Sequence, residues 1–414
     1  MANVSSSNGI EKYPKLRFES FLEEWKEISF CDLFTYVSNN TLSRADINYE
    51  IGRYQNIHYG DVLINFGPFL DANTNTLPFI NLASEKNFDN MLLQDGDIII
   101  ADTAEDETVG KATEIINTSS RKIVSGLHTI ACRPKIKMMP TYLGFYLNSE
   151  AYHKQLYALM QGIKVLSISK SNIETTIIKY PCIAEQEKVC SLLCLIEKRI
   201  NKQKQLIEHI KKYKRGLQFL VFEKNQNNNW DKKTLLEIAS FCGGGTPSKD
   251  IKDYWSGEIG WISSSDLDEE WIDSLSITRH ITQSAIDNSA TKLCPKGTIS
   301  VVSRVGVGKV VVMPENLCTS QDFINITSID GDTNFFAYQI AYKMKIQATK
   351  TQGTSIKGVT SETLKAMVLD IPSLEEQKHI ATMLSTFDVR LKAEIKTLNK
   401  MQFIKNGLLQ QLFI

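Results

Sequence analysis

An α/β (α+β) architecture, with two globular domains separated by two long helices forming an antiparallel coiled coil, is predicted from three observations. Residues 161–222 reappear without a gap 191 positions later as 352–413. Within each copy, apolar residues step by alternating threes and fours, as in the seam of a coiled coil. Ahead of each copy, short apolar runs follow glycine at 60–64, 96–100 and 297–303, the pattern of strands. The chain therefore reads as a pseudo-twofold tandem repeat, which carries two equivalent working surfaces.

The repeat is specific in its residues. Gln161-Gly162 matches Gln352-Gly353, Pro181 matches Pro372, and Glu185-Gln186 matches Glu376-Gln377. Arg199, Lys214, Gly216, Leu217 and Phe222 match Arg390, Lys405, Gly407, Leu408 and Phe413. The opening run around Trp25 has a partner beginning at Trp230, so the duplication extends beyond the helices. This gives a loose tail over 1–13, a globular domain over 14–183, a spacer helix over 184–224, a second globular domain over 225–374 and a second spacer helix over 375–414. The polar, apolar-free stretch 224–229 is the kind of linker that separates domains.

In the first helix the seam runs Val189, Leu193, Ile196, Ile200, Ile207, Ile210, Leu217 and Val221; in the second it runs Ile380, Leu384, Phe387, Leu391, Leu398, Met401, Leu408 and Leu412. Gln203 and Lys214 interrupt one seam, Glu394 and Lys405 the other. Polar seam residues fix register at some cost in stability. In one antiparallel register Ile196 meets Leu412, Ile200 meets Leu408 and Leu217 meets Leu391, while Lys214 faces Glu394 and Gln203 faces Lys405. A shift by one heptad would set Lys405 against Ile196 and Lys214 against Phe387, desolvating two amines without partners. The first register is therefore expected, along helices spanning roughly 55 Å at 1.5 Å per residue.

Composition excludes several classes. With 42% hydrophobic and 23% charged residues the chain is an ordinary globular one, and it holds no apolar run long enough for a bilayer. Residues 1–9 are small and polar and do not resemble a signal peptide, so a cytoplasmic location and no membrane partner are expected. The eight cysteines form no C-x-x-C pair, the six histidines no cluster, and Cys190 with Cys194 could supply only half a metal site. Formal charge is zero, yet residues 185–224 hold ten basic side chains against five acidic ones. Positive surface on the globular parts must then be local and built by loops.

No catalytic motif is found. There is no Pro-Pro dipeptide for an amino-methyltransferase turn and no G-x-x-x-x-G-K-[ST] phosphate loop. Pro247 removes a backbone donor from the glycine-rich run at 243–249. Residues 304–309 lack the third glycine of a dinucleotide fingerprint and read as a hairpin or bulge carrying Arg304 and Lys309 on a surface.

With Pro181-Cys182-Ile183-Ala184-Glu185-Gln186, Ile371-Pro372-Ser373-Leu374-Glu375-Glu376-Gln377, the entry Pro14-Lys15-Leu16-Arg17-Phe18 and the segments at 40–45, 244–249, 254–257 and 261–263 in order, nearly the whole chain resembles the specificity (S) subunit of type I restriction-modification enzymes. That resemblance implies a non-catalytic subunit whose two target-recognition domains each read part of a bipartite, asymmetric site in double-stranded DNA. It also implies two modification (methyltransferase) subunits and restriction (translocase and endonuclease) subunits as partners. S-adenosylmethionine, ATP and magnesium would belong to those partners, with no cofactor and no metal in this chain. A helical scaffold joining protein partners without reading DNA is the alternative. For DNA contact, polar and basic loop residues are the candidates: Asn40, Thr41, Ser43, Arg44, Lys111 and Lys164 in the first half, and Thr246, Ser248, Lys249, Ser263, Ser264, Arg304, Lys309 and Lys357 in the second.

Overall fold

The computed structural model describes residues 2–3, 12–224, 230–350 and 358–414. The linker residues 225–229, the pair Gln352-Gly353, Lys357 and most of the N-terminal tail lie outside them. The chain is of mixed α/β class and divides into two compact units, Met1–Lys202 with Leu398–Ile414, and Gln203–Thr397. Each unit thus takes in part of both long helices, Ile183–Phe219 and Leu374–Leu412.

The first unit is built on a five-stranded sheet in the order Phe34–Val37, Thr129–Pro134, Ile98–Ala101, Ala112–Ile116, Phe69–Asp71. Its central strand is buried on both faces, which explains an unbroken Ile-Ile-Ile-Ala run instead of an alternating one. A second sheet of four strands runs Ile123–Ser125, Gln55–Ile57, Phe79–Ile80, Ile47–Asn48. The second unit holds two four-stranded sheets. One is ordered Ala239–Gly243, Phe323–Ile329, Ile299–Val302, Val310–Val312, the other Arg279–Ile281, Ile259–Ile262, Leu317–Thr319, Leu293–Cys294. In both units a parallel pair stands inside a four-stranded mixed sheet: Gln55–Ile57 with Ile123–Ser125, and Ile259–Ile262 with Leu317–Thr319.

One expected strand is a helix. Residues 60–64 lie within the helix Tyr59–Ile64, because His58 and Asp61 form a reciprocal capping box that satisfies its first-turn amides. A five-residue apolar run is too short for periodicity alone to separate strand from helix.

The long helices end in the cores. Phe413 packs edge-on against Trp25, Tyr142 and Tyr146, with centroids 5.7–6.4 Å apart, and the Tyr146 hydroxyl donates to the Ile414 carbonyl at 3.2 Å. Its repeat partner Phe222 packs with Phe335 and Tyr342 in the second unit. The helix entries are alike as well. Gln186 donates to the Pro181 carbonyl and accepts from the Met139 amide; Gln377 donates to the Pro372 carbonyl and accepts from the Asp332 amide. Glu185 is held through both oxygens by buried Arg17 at 2.8 Å. The motif Pro-x-x-x-x-Gln is thus a clasp tying each helix to its domain.

The helices run antiparallel, since Gln203 pairs with Glu394 and the later Lys214 with the earlier Asp388. The expected register is corrected. Lys214 forms its ion pair with Asp388, and Glu394 instead accepts from Gln203 at 2.5 Å and from Arg390 at 2.6 Å. In the first unit Lys405 pairs with Glu197. Glu197 and Asp388 immediately follow Ile196 and Phe387, so the alignment that looked as though it would strand two amines supplies a carboxylate one residue off the seam. Lys214–Asp388 is the repeat image of Lys405–Glu197, while Gln203 and Glu394 occupy equivalent positions and meet each other.

Candidate nucleic-acid interface

In both units the strand at the heart of the parallel pair is followed at once by a capping box. In the first unit, His58 Nδ1 accepts from the Gly60 amide at 3.3 Å and Asp61 accepts from the His58 amide at 3.2 Å. In the second, Ser263 and Asp266 make the same reciprocal arrangement, with Asp266 accepting from the Ser263 amide at 2.7 Å. Each capping-box carboxylate also accepts from an arginine, and Asp61 accepts in addition from the Asn65 side-chain amide at 3.0 Å. Arg44 clamps Asp61 through Nη1 at 3.2 Å and Nη2 at 2.8 Å. Arg279 Nη2 donates to Asp266 and to Ser263 Oγ, the latter at 2.7 Å.

The carboxylates are inside and the guanidinium groups are not. Asp61 and Asp266 side chains are 2% and 10% exposed, whereas Arg44 and Arg279 are 47% and 38% exposed. Burial, with the neighbouring positive charge of Arg44 adding to it, depresses the His58 imidazole below its ordinary range and keeps it a neutral acceptor. Gly60 permits the close approach, because a Cβ there would stand 3.1 Å from Arg44 Nη2. Arg279 lies over the Trp261 ring at 4.6 Å, and Trp261 is itself anchored by donating to the Gly245 carbonyl at 2.9 Å. Around Arg279, the residues Lys249, Lys252 and Trp255 line an open cleft of about 390 Å³.

The other candidates scatter. Thr41, Ser43, Lys164, Ser248, Lys249 and Arg304 are exposed, and Thr246, Ser263 and Ser264 are half-buried. Ser43 caps the turn Arg44–Asp46 and donates to Asp46 at 2.8 Å. Thr246 donates to Gln321, which with Arg304 lines a second cleft of about 500 Å³. Three expected contacts are turned inward. Asn40 is buried and donates to Asn56 and to the Ser125 carbonyl, closing the loop onto the sheet. Lys111 donates to the Leu63 carbonyl at 2.6 Å. Lys309, expected on the outside of its hairpin, reaches the Leu267 and Ser264 carbonyls at 3.1 and 3.5 Å. Lys357 lies outside the described residues. Arg279 was missed by sequence reasoning because it stands alone; the signal available was the spacing Ser263-x-x-Asp266, a capping box with a carboxylate to spare.

Among the described residues, no group of three or more His, Cys, Asp or Glu side chains is placed to hold a metal ion, and no helix is long and apolar enough to cross a membrane. Burial pushes the Cys190 thiol up to about 12, and Cys194 is also raised, so both are protonated helix-face residues.

Residues 227–401 match the family described as type I restriction modification DNA specificity domain. The chain is 37% identical over 165 residues to the type I restriction enzyme MjaIX specificity subunit of Methanocaldococcus jannaschii, a match covering 39% of this chain and 38% of that relative. It is 23% identical over 421 residues to a putative type I restriction enzyme MjaX specificity subunit of the same organism, covering 95% of this chain and 93% of the other. Its fold is similar to a crystal structure of the S subunit of a type I restriction-modification system from M. genitalium, with a TM-score of 0.57 at 15% identity over 97% of this chain and 99% of that one.

Proposed function

Because the chain belongs to the family of type I restriction-modification specificity subunits, we propose that its two units are target-recognition domains, each reading one part of a bipartite, asymmetric DNA duplex site. The observation that carries this reading is a contrast inside the chain. The long helices repeat the same ion pair and the same glutamine clasp in both units, while the exposed loops beside the parallel strands carry different side chains. Two unlike readers on one repeated support suit an asymmetric target. Joining them raises the effective concentration of the second contact and rejects duplexes whose half-sites are wrongly spaced.

The subunit is non-catalytic. It works in a complex in which methyltransferase subunits dock on its helices and use S-adenosylmethionine, and restriction subunits supply ATP- and magnesium-dependent translocation and cleavage in the cytoplasm. What this chain contributes is the address: polar and basic side chains aimed at phosphates and base edges.

The test is enrichment from a random duplex library by the full chain together with its modification subunit. Recovery of two short motifs at a fixed separation is expected. Enrichment of no motif would overturn the reading and favour a scaffold that only joins protein partners.

A further inference from the structure

Resting on that reading, we propose that Arg44 and Arg279 are specificity-determining residues, each presenting a guanidinium to a guanine in a different half-site from a carboxylate fixed by a capping box. The two sites share the acid and differ in the arginine. Asp61 and Asp266 are each the third residue of the turn that follows the parallel strand. Arg44 reaches Asp61 from the loop turn ahead of that strand, whereas Arg279 reaches Asp266 from the edge strand Arg279–Ile281. Lys249 stands as far ahead of Ser263 as Arg44 does of His58, yet it does not take the carboxylate and instead lines the cleft beside Arg279. Two different segments therefore deliver an arginine to the same acid. If the pairs only stitched loops to the sheet, half-exposed guanidinium groups would be an inefficient way to do so, since partly exposed ion pairs contribute little to stability.

The donor geometry suits guanine. A guanidinium has five N–H donors, and Asp61 takes one from each terminal nitrogen of Arg44. The Nε–H edge and the remaining terminal hydrogens are left for a second planar acceptor pair, and guanine O6 and N7 form such a pair in the major groove. A buried carboxylate behind the arginine removes rotamer freedom before DNA arrives, so less is lost on binding. In the second unit Trp261 fixes the opposite face of Arg279.

The experiment uses the full chain with its modification subunit and compares wild type with Arg44→Lys and Arg279→Lys, which keep the charge and lose the fork. Library enrichment and binding at several salt concentrations are read together. Each lysine variant is expected to lower discrimination at one guanine position by roughly 5- to 150-fold, in one half-site only, with the other half-site unchanged and the salt slope preserved. Asp61→Asn and Asp266→Asn, which loosen the arginine without removing it, are expected to soften the same positions and serve where a lysine variant folds poorly. Uniform weakening across sequences, or an unaltered motif from all four variants, would overturn the proposal while the bipartite motif of wild type keeps the parent reading intact. A wild-type complex that enriches no bipartite motif would overturn both.

Discussion

In the second unit Lys214 meets Asp388, which also accepts from the Tyr338 hydroxyl at 2.6 Å, and the ammonium lies 5.6 Å from the Trp271 ring centre and 5.4 Å from that of Tyr338. In the first unit the equivalent Lys405 meets Glu197, and among the described residues no tyrosine hydroxyl or ring face joins that pair. The same ion pair is thus repeated with one extra methylene in the acid and without the aromatic enclosure. The sites of Arg44 and Arg279 show the opposite relation, with the same carboxylate and arginines from different segments. Helix-seam chemistry is repeated in kind and the chemistry around the two arginines is not, a contrast that favours the proposed pair of unlike readers on a repeated support.

The largest expected effect tests the seam. Asp388→Ala leaves Lys214 buried without its acid and Tyr338 without its acceptor, and should cost about 3–5 kcal/mol in denaturant unfolding of the second unit. Glu197→Ala should cost less, because Lys405 is more exposed than Lys214, at 20% against 11%. Equal losses would show that the aromatic enclosure adds nothing.

Next is a pH dependence located in the first unit. Glu114 is buried and accepts from the Thr141 and Gly144 amides at 2.6 and 3.0 Å, but burial outweighs those bonds and raises its carboxyl from 4.5 to about 7. The folded state therefore holds its proton more tightly than the unfolded chain. Its stabilising contribution is complete below pH 4.5 and is lost as pH rises through 7, up to about 3 kcal/mol. Glu114→Gln should flatten the unfolding midpoint of the first unit across that window; an unchanged slope would assign the effect elsewhere.

The glutamine clasps should behave alike. Gln186→Ala and Gln377→Ala each strip a buried amide partner and a carbonyl partner, with an expected cost of about 1–3 kcal/mol in their respective units. A large loss in only one unit would mean that the repeated motif does different work in the two halves.

Smallest are the exposed pairs Lys211–Glu270 and Lys392–Asp273. Alanine at either lysine should change stability by under about 1 kcal/mol and less still at high salt.

The helices and their antiparallel sense were legible because a seam repeats every few residues and is written locally. The register was not. Lysine stems reach sideways, so the acid that satisfies Lys214 sits at Asp388, beside the seam position Phe387, where counting seam residues alone does not look. The helix at Tyr59–Ile64 was concealed by a capping residue, His58, outside the commonest capping set. Among the interface candidates, residue type suggested Arg44, but it equally suggested Asn40 and Lys309, whose side chains close loops internally. Whether a polar loop residue faces out depends on which backbone carbonyl the fold brings beneath it, a long-range fact that no local pattern records. Arg279 joins Asp266 only through the fold, which brings the edge strand Arg279–Ile281 beside the turn that carries the acid.

The most direct test of two unlike readers on a repeated support is the map of methylated bases in DNA from cells carrying this chain with the modification subunits proposed for it. The account expects one motif of two different short sequences at a fixed separation. A single uninterrupted motif, a palindrome of identical halves, or methylation without sequence preference would contradict it.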